Sequence, residues 1–313
     1  MFGLFLFNKP PGISSAGFLN KLKRYTNQEK IGHGGTLDPF AEGLLVVGIG
    51  REYTKKLSSI LKDTEKEYVA TIVLGAESDT YDREGKIEQI ANGKLPDKNS
   101  IEEAIKKIAS KKIQVPPPYS AIKIKGKPAY QRSRAGENVK LSPRPACMKE
   151  YEIERTEKRG KNIEVRIRLV VSSGFYVRSF AHDLGIFLKT GGYLKKLVRT
   201  RIGNFYLKEA LKTEDIEKKE FELYFLASGE VQGVGYRYFA YKMAQNWAIR
   251  GFTRNLGDSS VEVVGRAKLT VLDSFLEALK KGPDGAEITS IFDYFRKPQK
   301  RCLGFSIKNE SPR

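Results

Sequence analysis

The residues best suited to chemistry lie in one short stretch, positions 32–39, which reads Gly-His-Gly-Gly-Thr-Leu-Asp-Pro. Its glycines allow positive φ angles and a close approach of the backbone to a ligand. Pro39 restricts Asp38 to extended conformations, and a carboxylate held in this way can act as a nucleophile or a general base. Most Asp-Pro pairs only cap a local turn, so this stretch taken alone favours a structural interpretation.

A second stretch, positions 229–237, reads Gly-Glu-Val-Gln-Gly-Val-Gly-Tyr-Arg. It follows a predicted strand and opens a predicted helix. The backbone N–H groups of such a loop, with the positive end of the helix dipole behind them, form a cradle for an anion, and the guanidinium of Arg237 adds a charged fork. The spacing therefore predicts an anion-binding loop.

Short strands and helices alternate in the region that must position Asp38. Alternating and β-branched residues predict strands over 3–7, 44–48, 67–74 and 163–171. Helical spacing of apolar residues predicts helices that begin after Ser14 or Ser15, over 101–108 and over 178–188. Positions 32–40 are predicted to form a loop between two of these elements.

The pattern changes after position 205. Positions 208–220 are highly charged, which suits a linker or a solvated helix. The later elements are predicted over 223–227 (strand), 237–247 (helix), 251–264 (two strands), 269–280 (helix), 287–295 (strand) and 303–308 (strand). This order is the ferredoxin-like βαββαβ arrangement. The sequence thus predicts an α+β protein with a first domain at 1–212, a linker at 213–219 and a second domain at 220–313.

The charge of the chain is large and unevenly distributed. The 313 residues carry a formal net charge of +19, and positions 216–313 contribute only 16 basic and 12 acidic residues to it. Most of the excess therefore lies on the first 215 residues, which is typical of a protein that binds a polyanion such as nucleic acid. A lysine-rich surface that serves solubility or heat tolerance is the alternative.

The composition also excludes several classes of protein. With 40% hydrophobic residues the chain can form packed cores, which argues against disorder and against a collagen-like repeat. No apolar run is long enough to span a membrane, and the apolar start is interpreted as a buried strand, not as a signal peptide. Two cysteines and two histidines cannot supply a disulfide framework or an ordinary metal cluster, and they suit a reducing cytosol.

Several motifs in register make positions 3–205 resemble the TruB family of tRNA pseudouridine synthases. They are Asn-Lys-Pro-Pro-Gly at 8–12, the stretch 32–45, Glu-Ser-Asp-Thr-Tyr-Asp at 77–82, Pro-Pro-Pro-Tyr-Ser-Ala-Ile-Lys at 116–123, Gly-Phe-Tyr-Val-Arg-Ser at 174–179 and Leu-Val-Arg-Thr-Arg-Ile-Gly at 197–203. The resemblance implies a mixed α/β catalytic domain around a largely antiparallel sheet. It also implies conversion of a uridine in the T loop of tRNA, conventionally position 55, to pseudouridine without a metal or cofactor.

The same resemblance implies roles for individual residues. Asp38 is the catalytic carboxylate, which would either add to the ribose or remove its 2′ proton. Arg178 pairs with Asp38 through a guanidinium that can hold the carboxylate in one orientation. Tyr68 stacks on the flipped uracil and Tyr176 contacts the same base, although tyrosines on strands are also common in cores.

Three further substrate-binding residues are implied, and two of them, Leu197 and Lys9, have an alternative interpretation. Leu197 contacts the base pocket or belongs to the core. His33 lies against the T loop where bases are displaced. Lys9 meets a phosphate or supports its own loop. The small RNA-binding domain of the PUA type that usually ends these synthases is not recognisable in the sequence.

Positions 220–308 resemble acylphosphatase, through positions 229–237, 251–255 and 261–264. The resemblance implies that Arg237 binds the phosphoryl group and that Asn255 orients the attacking water. The implied phosphate loop consists of Gln232, Gly233, Val234, Gly235 and Tyr236. The implied reaction is hydrolysis of an acyl phosphate to a carboxylate and phosphate, again without a metal.

Taken together, the sequence predicts a bifunctional cytoplasmic monomer that binds the T arm of tRNA and a small acyl phosphate, and that has no membrane or metal partner. In one alternative the second domain is a catalytically silent RNA-docking module. In another the protein acts mainly as a tRNA-folding chaperone. The small net charge of positions 216–313 argues mildly against docking, because phosphate contacts require local basic clusters.

Overall fold

A computed structural model describes residues 2–90, 95–124, 126–217, 220–299 and 302–309. Lys218 and Lys219 of the predicted linker lie outside these ranges. Within the described ranges, no helix combines the length and the apolar character that crossing a membrane requires.

The described strands are, in chain order, β1 (Gly3–Lys9), β2 (Ile31–Gly34), β3 (Glu42–Ile49), β4 (Lys66–Leu74), β5 (Ala76–Ser78), β6 (Ile87–Gln89), β7 (Ile113–Gln114), β8 (Lys123–Ile124), β9 (Lys127–Pro128), β10 (Arg144–Pro145), β11 (Met148–Arg159), β12 (Asn162–Val171), β13 (Gly192–Ile202), β14 (Phe205–Tyr206), β15 (Phe221–Glu230), β16 (Arg250–Asn255), β17 (Ser260–Ala267), β18 (Glu287–Arg296) and β19 (Phe305–Ile307). The described helices are α1 (Ser15–Thr26), α2 (Arg51–Ile60), α3 (Lys98–Ala109), α4 (Ala129–Arg134), α5 (Val177–Phe187), α6 (Thr213–Glu217), α7 (Tyr236–Asn246) and α8 (Leu269–Lys281), with a short 3-10 helix at Leu207–Glu209.

The chain folds into two compact units that do not follow chain order. The first unit contains Met1–Leu37, Gly43–Ile60 and Phe205–Arg313, and the second contains Asp38–Glu42 and Leu61–Asn204. The predicted division at 1–212, 213–219 and 220–313 stays a prediction, because compactness groups residues by their contacts and not by their place in the chain.

The second unit is built on an antiparallel sheet with the strand order β11-β12-β4-β13. Alternate residues of β12, among them Val165 and Ile167, are completely buried, as the alternating sequence predicts. Helix α5 packs closely on β13, because a Cβ atom at Gly185 or Gly192 would overlap the backbone of the other element. This close packing fixes α5, the helix that carries Arg178, against the sheet.

The first unit has the strand order β2-β3-β1-β18-β15-β17-β16-β19, with parallel pairing only at β1–β18 and β16–β19 among these neighbours. Within it, β15-α7-β16-β17-α8-β18 is the predicted βαββαβ arrangement. Helix α1 begins after Ser14, whose side chain accepts a hydrogen bond from the Gly17 N–H, and it buries Phe18 and Leu22.

The predicted fold class, α+β with a largely antiparallel sheet, is confirmed. The loop predicted over 32–40 is wrong at its start. Residues 31–34 form β2 because their backbone pairs with β3, with Gly32 opposite Gly48 and His33 opposite Val47. Glycine-rich strands of this kind lack the side-chain alternation by which a strand is recognised in a sequence.

Candidate active site

The backbone on both sides of Asp38 is fixed by hydrogen bonds. Within the first unit, the Ser15 hydroxyl accepts from the Leu37 N–H at 2.9 Å and donates to the Leu37 carbonyl at 3.0 Å. Within the second unit, the Ala41 N–H donates to the Asp38 carbonyl at 3.1 Å. With Pro39 restricting φ as well, the carboxylate of Asp38 is presented from a rigid turn.

Arg178 meets Asp38 through two contacts. Its Nε lies 2.9 Å from Asp38 Oδ2, and its Nη2 donates to Asp38 Oδ1 at 3.1 Å. The Arg178 side chain is only 5% exposed, whereas that of Asp38 is 32% exposed. The guanidinium thus supports the carboxylate from the protein interior and leaves it accessible to a substrate.

The remaining donors of Arg178 are directed by other groups of the second unit. Nη2 also donates to the carbonyl of Tyr119 at 2.9 Å, and Nη1 donates to the carbonyl of Thr80 at 3.3 Å. Nη1 further lies 3.6 Å from Oδ2 of Asp82. A guanidinium with partners on each terminal nitrogen has one available orientation, so the arrangement of Asp38 is preset.

Asp82 is a second buried carboxylate beside Arg178, and it is only 4% exposed. Its Oδ1 accepts from the Thr80 hydroxyl at 2.8 Å and from the Glu84 N–H at 2.9 Å. Burial raises the pKa of the Asp82 carboxyl, while these hydrogen bonds and Arg178 oppose that rise. The carboxylate therefore neutralises part of the charge of Arg178 from inside the fold.

Tyr176 is held in place at the start of α5 by one amide side chain. Gln114 accepts from the Tyr176 N–H at 2.8 Å and donates to the Tyr176 carbonyl at 3.0 Å. Burial raises the pKa of the Tyr176 phenol, and the charges of Arg178 and Asp38 also act on it. The phenol therefore lies within electrostatic range of the Asp38–Arg178 pair and stays protonated at neutral pH.

Tyr68 and Leu197 lie on adjacent strands of the second unit. Tyr68 of β4 is opposite Arg199 of β13, and Leu197 is opposite Ala70. Residues two apart on a strand share a face, so Tyr68 and Leu197 are diagonal neighbours on one face of the sheet. Both residues are buried, Tyr68 at 7% and Leu197 at 5% exposure.

Lys9 and His33 belong to the first unit. Lys9 is completely buried at the end of β1, and its ammonium donates to the carbonyls of Pro10 at 2.9 Å and Ile13 at 2.7 Å. This placement favours loop support over a phosphate contact. His33 is half-buried in the middle of β2.

Four residues of the predicted phosphate loop, Gln232 to Gly235, lie between β15 and α7 in the first unit, and the fifth, Tyr236, is the first residue of α7. Gly233 and Gly235 have φ angles of 78° and 79°, in the left-handed region that favours glycine. Gly235 is the N-cap of α7 and has no side chain that could cap the helix. The first N–H groups of α7 therefore donate to no capping side chain, and such groups can bind an anion. Arg237 is a half-buried residue, and across the described residues no hydrogen bond or ion pair engages its guanidinium.

Asn255 at the end of β16 is a neighbour of this loop. The Gln232 amide donates to the carbonyls of Leu256 and Ser260, both at 2.9 Å, and so ties the loop to the residue after Asn255. Asn255 is 8% exposed, and its Oδ1 has no hydrogen-bond partner within the part of the chain that the structure describes. A buried acceptor without a partner is costly unless a ligand or water satisfies it.

Several supporting groups were missed in the sequence. Thr80, Asp82 and Tyr119 lie within motifs that carried the resemblance, yet no local signal connects them to Arg178. Gln114, which holds Tyr176, lies outside the motifs. Each of these residues contacts a residue that is distant in the sequence. Periodicity and turn chemistry describe only neighbouring residues, so they do not predict such contacts.

Comparisons with known proteins assign two stretches of the chain to known families. A family model described as TruB family pseudouridylate synthase (N terminal domain) matches residues 23–177, and the acylphosphatase family model matches residues 223–307. The chain is 41% identical to a tRNA pseudouridine synthase B of Desulfotalea psychrophila over 219 residues, covering 68% of this chain and 87% of that protein. A tRNA pseudouridine synthase B of Corynebacterium efficiens is 40% identical over 215 residues, covering 69% of this chain and 72% of that protein.

Among solved structures, the crystal structure of a Cbf5-Nop10-Gar1 complex contains a chain with a TM-score of 0.53 and 29% identity, covering 69% of this chain and 54% of that one. The two family models and the sequence relatives lead to one conclusion. The chain belongs to the TruB family of pseudouridylate synthases and carries an acylphosphatase-family region after it.

Proposed function

We propose that this protein converts uridine 55 in the T loop of tRNA to pseudouridine, and that its acylphosphatase-family region hydrolyses acyl phosphates. The observation that carries the first activity is the two-point contact of Arg178 with an accessible Asp38. The relatives named tRNA pseudouridine synthase B support tRNA as the substrate.

The isomerisation must break the bond from ribose C1′ to uracil N1 and form a bond from C1′ to C5. N1 gains a proton in the product and C5 loses one, so the reaction needs no external reactant. Asp38 either adds to the ribose or removes its 2′ proton, and both routes require a carboxylate that is aimed before the substrate arrives. Arg178, held by Tyr119 and Thr80 carbonyls, provides that aim.

A base that reacts at C5 has to leave its stack and turn within the site. Tyr68 and Leu197 are diagonal neighbours on one face of the sheet, where an aromatic ring and an apolar side chain can pack against a base. Tyr176, whose backbone is fixed by Gln114, offers a second aromatic ring within range of Asp38. We assign these three side chains to binding the extruded uracil.

Incubation with an unmodified tRNA transcript, followed by mapping of pseudouridine, tests this activity. The wild-type protein should modify uridine 55, and Asp38→Asn should abolish product while tRNA binding stays nearly intact. Asp63→Asn, at an exposed aspartate of the same unit, is the matched control and should keep full activity. Product formed by Asp38→Asn would remove Asp38 from its role, and tRNA refolding without any pseudouridine from the wild type would favour the chaperone alternative.

The observation that carries the second activity is the buried Oδ1 of Asn255 near a glycine loop that leads into α7, whose second residue is Arg237. An acyl phosphate would place its phosphoryl group on the loop N–H groups and on Arg237, which neutralise its charge. Asn255 would accept a hydrogen bond from the water that attacks phosphorus. Attack releases the carboxylate as the leaving group and leaves inorganic phosphate.

Turnover of benzoyl phosphate tests the hydrolase. Arg237→Ala should eliminate it and Asn255→Ala should reduce it strongly, whereas Lys242→Ala, at an exposed position of the same helix, should have no effect. Thermal unfolding of each variant controls for loss of structure. An inactive wild-type protein would refute the assignment and leave the silent RNA-docking alternative.

The rest of the proposal concerns organisation. We assign the synthase to residues 1–212 and the hydrolase to residues 220–313, joined by residues 213–219, in a cytoplasmic monomer. Light scattering at micromolar concentration would test the monomer, and a dimer mass would contradict it.

A further inference from the structure

Strand β1 belongs to residues 1–212, the synthase-family region, and pairs directly with residues 220–313, the acylphosphatase-family region. β1 is antiparallel to β3 on one side and parallel to β18 on the other, with Phe5 opposite Phe295. The two phenylalanine rings stack with centroids 4.8 Å apart, and both side chains are completely buried. A Cβ atom at Gly3 would lie 2.7 Å from the Phe295 ring, so the two strands are in close contact.

The segment 205–212 also connects the two regions. The Asn8 N–H donates to the Leu211 carbonyl, and the Leu211 N–H donates to the Leu6 carbonyl, both at 2.8 Å. From the same segment, Glu209 lies 2.6 Å from Arg296 of β18, which in turn donates to Glu222 of β15 at 2.8 Å. Because these charged side chains are largely buried, separating the segment from β18 would leave unpaired charges in the interior.

A third connection joins α2 to the acylphosphatase-family region. The Tyr53 hydroxyl donates to Asp293 Oδ2 of β18 at 3.3 Å, and Lys280 of α8 donates to the Tyr53 oxygen at 3.4 Å. Tyr53 is 7% exposed, so this contact belongs to the interior and not to the solvated surface.

The apolar core of the first unit is shared by both regions. One continuous cluster of buried side chains contains Phe7, Phe18 and Val47 from the synthase-family region, and Phe225 and Leu276 from the acylphosphatase-family region. Opening either half would expose apolar surface of the other, so each half stabilises its neighbour.

We propose that the acylphosphatase-family region and strands β1–β3 form one cooperative folding unit, in which an anion bound at residues 232–237 stabilises the synthase strands that carry Lys9 and His33. The path is continuous, since β15 pairs with β18, β18 with β1, β1 with β3 and β3 with β2. A ligand that binds only the folded unit shifts its unfolding equilibrium, and every strand that opens in that step gains the same protection.

Hydrogen exchange of the full-length protein with and without inorganic phosphate tests the proposal. With phosphate at ten times its Kd, amides that exchange through unfolding of the unit should slow about elevenfold. The factor should be equal in β1, β3 and β15, and Arg237→Ala should remove the slowing in all of them. Slowing in β15 and α7 with no change in β1 and β3 would overturn the proposal.

The phosphate measurement rests on the proposed hydrolase site. A second variant tests the shared folding unit without that site. Phe275 of α8 is completely buried and makes its ring contacts with Trp247 and Phe305. Phe275→Leu should speed exchange in β15 and β1 by the same factor, with Phe275→Ala giving a larger common factor. If phosphate slows no amide, the proposed anion site is refuted. The exchange rates of Phe275→Leu then decide whether the two regions unfold together. Faster exchange in β15 and β18 with unchanged exchange in β1 would contradict the shared folding unit.

Discussion

At the scale of single residues, the site depends on an unequal pair. Arg178 is buried and has partners on several sides, whereas Asp38 is one-third exposed and points toward solvent. The buried partner restricts the orientation of the accessible one, and the cost of burying a guanidinium is offset by carbonyls and by Asp82. Substitutions at Arg178 should therefore affect the chemical step more than tRNA binding.

Replacing Arg178 by lysine tests this expectation. A lysine ammonium cannot reproduce the two-point contact with Asp38, and one lost charged hydrogen bond costs about 1.5–3 kcal/mol. We expect kcat for pseudouridine formation to fall about 10- to 100-fold while tRNA affinity changes little. Arg159→Lys, at an exposed arginine of the same unit, is the control. An unchanged kcat in Arg178→Lys would show that the fork geometry is not required.

Asp82 makes stability depend on pH in a defined direction. Burial raises its pKa above the ordinary value, so the folded protein binds this proton more tightly than the unfolded chain does. Its contribution to the free energy of unfolding is highest below about pH 3.9 and declines as pH rises through the raised pKa, by at most about 1.4 kcal/mol per pH unit.

Urea unfolding of the wild type and of Asp82→Asn at a series of pH values measures this contribution. Because asparagine does not titrate, the difference in unfolding free energy, wild type minus variant, should fall as pH rises from about 4 toward neutrality. A difference that increases with pH would mean that Arg178 outweighs burial at this carboxyl.

At the scale of elements, the turn between β5 and β6 supports the site. Asp79, Thr80 and Asp82 lie in it, and the Asp79 carboxylate accepts from the Lys86 N–H at 2.9 Å. A Cβ atom at Gly85 would overlap side-chain oxygens of Ser78, Asp79 and Thr80. Glycine is needed at this position because the turn closes around its own polar groups.

Gly85→Ala should therefore impair catalysis from a position that touches neither Asp38 nor Arg178. The turn must shift to admit the methyl group, which moves the Thr80 carbonyl and Asp82 away from Arg178. We expect pseudouridine formation to fall about tenfold or more, by the loss of about one hydrogen bond to a charged group. Gly304→Ala, where the added methyl group meets open space, is the control and should be neutral. Full activity of Gly85→Ala would show that the turn does not position Arg178.

At the scale of the whole molecule, the net charge of +19 is concentrated before residue 216. A polyanion bound there releases counterions, so its affinity depends steeply on salt. A small acyl phosphate contacts few charges, and its binding depends on salt much less.

We expect tRNA affinity to fall about 10³-fold or more between 50 and 200 mM salt if six or more phosphates are contacted. The KM for benzoyl phosphate should change only a few fold over the same range, and kcat with saturating tRNA should stay constant. Filter binding and steady-state kinetics measure the three quantities. A shallow salt dependence for tRNA would show that the basic excess serves solubility instead.

Much of the local structure could be predicted from the sequence alone. Alternation predicted β4 and β12, glycine spacing predicted the loop before α7, and the order of elements predicted the βαββαβ arrangement. These features depend on residues that are close in the sequence, so the propensities and periodicity of those residues predict them. β2 was missed because its glycines carry no such periodicity.

Only the tertiary structure decided which distant groups meet. The resemblance implied that Arg178 pairs with Asp38, but Thr80, Asp82 and Tyr119 around the guanidinium were not foreseen. The pairing of β1 with β18 was not foreseen either, because an apolar strand can pair with many others. Such contacts depend on the packing of the whole core. The free energy of packing is a sum of small contributions from residues far apart in the chain, and a local sequence pattern does not reveal it.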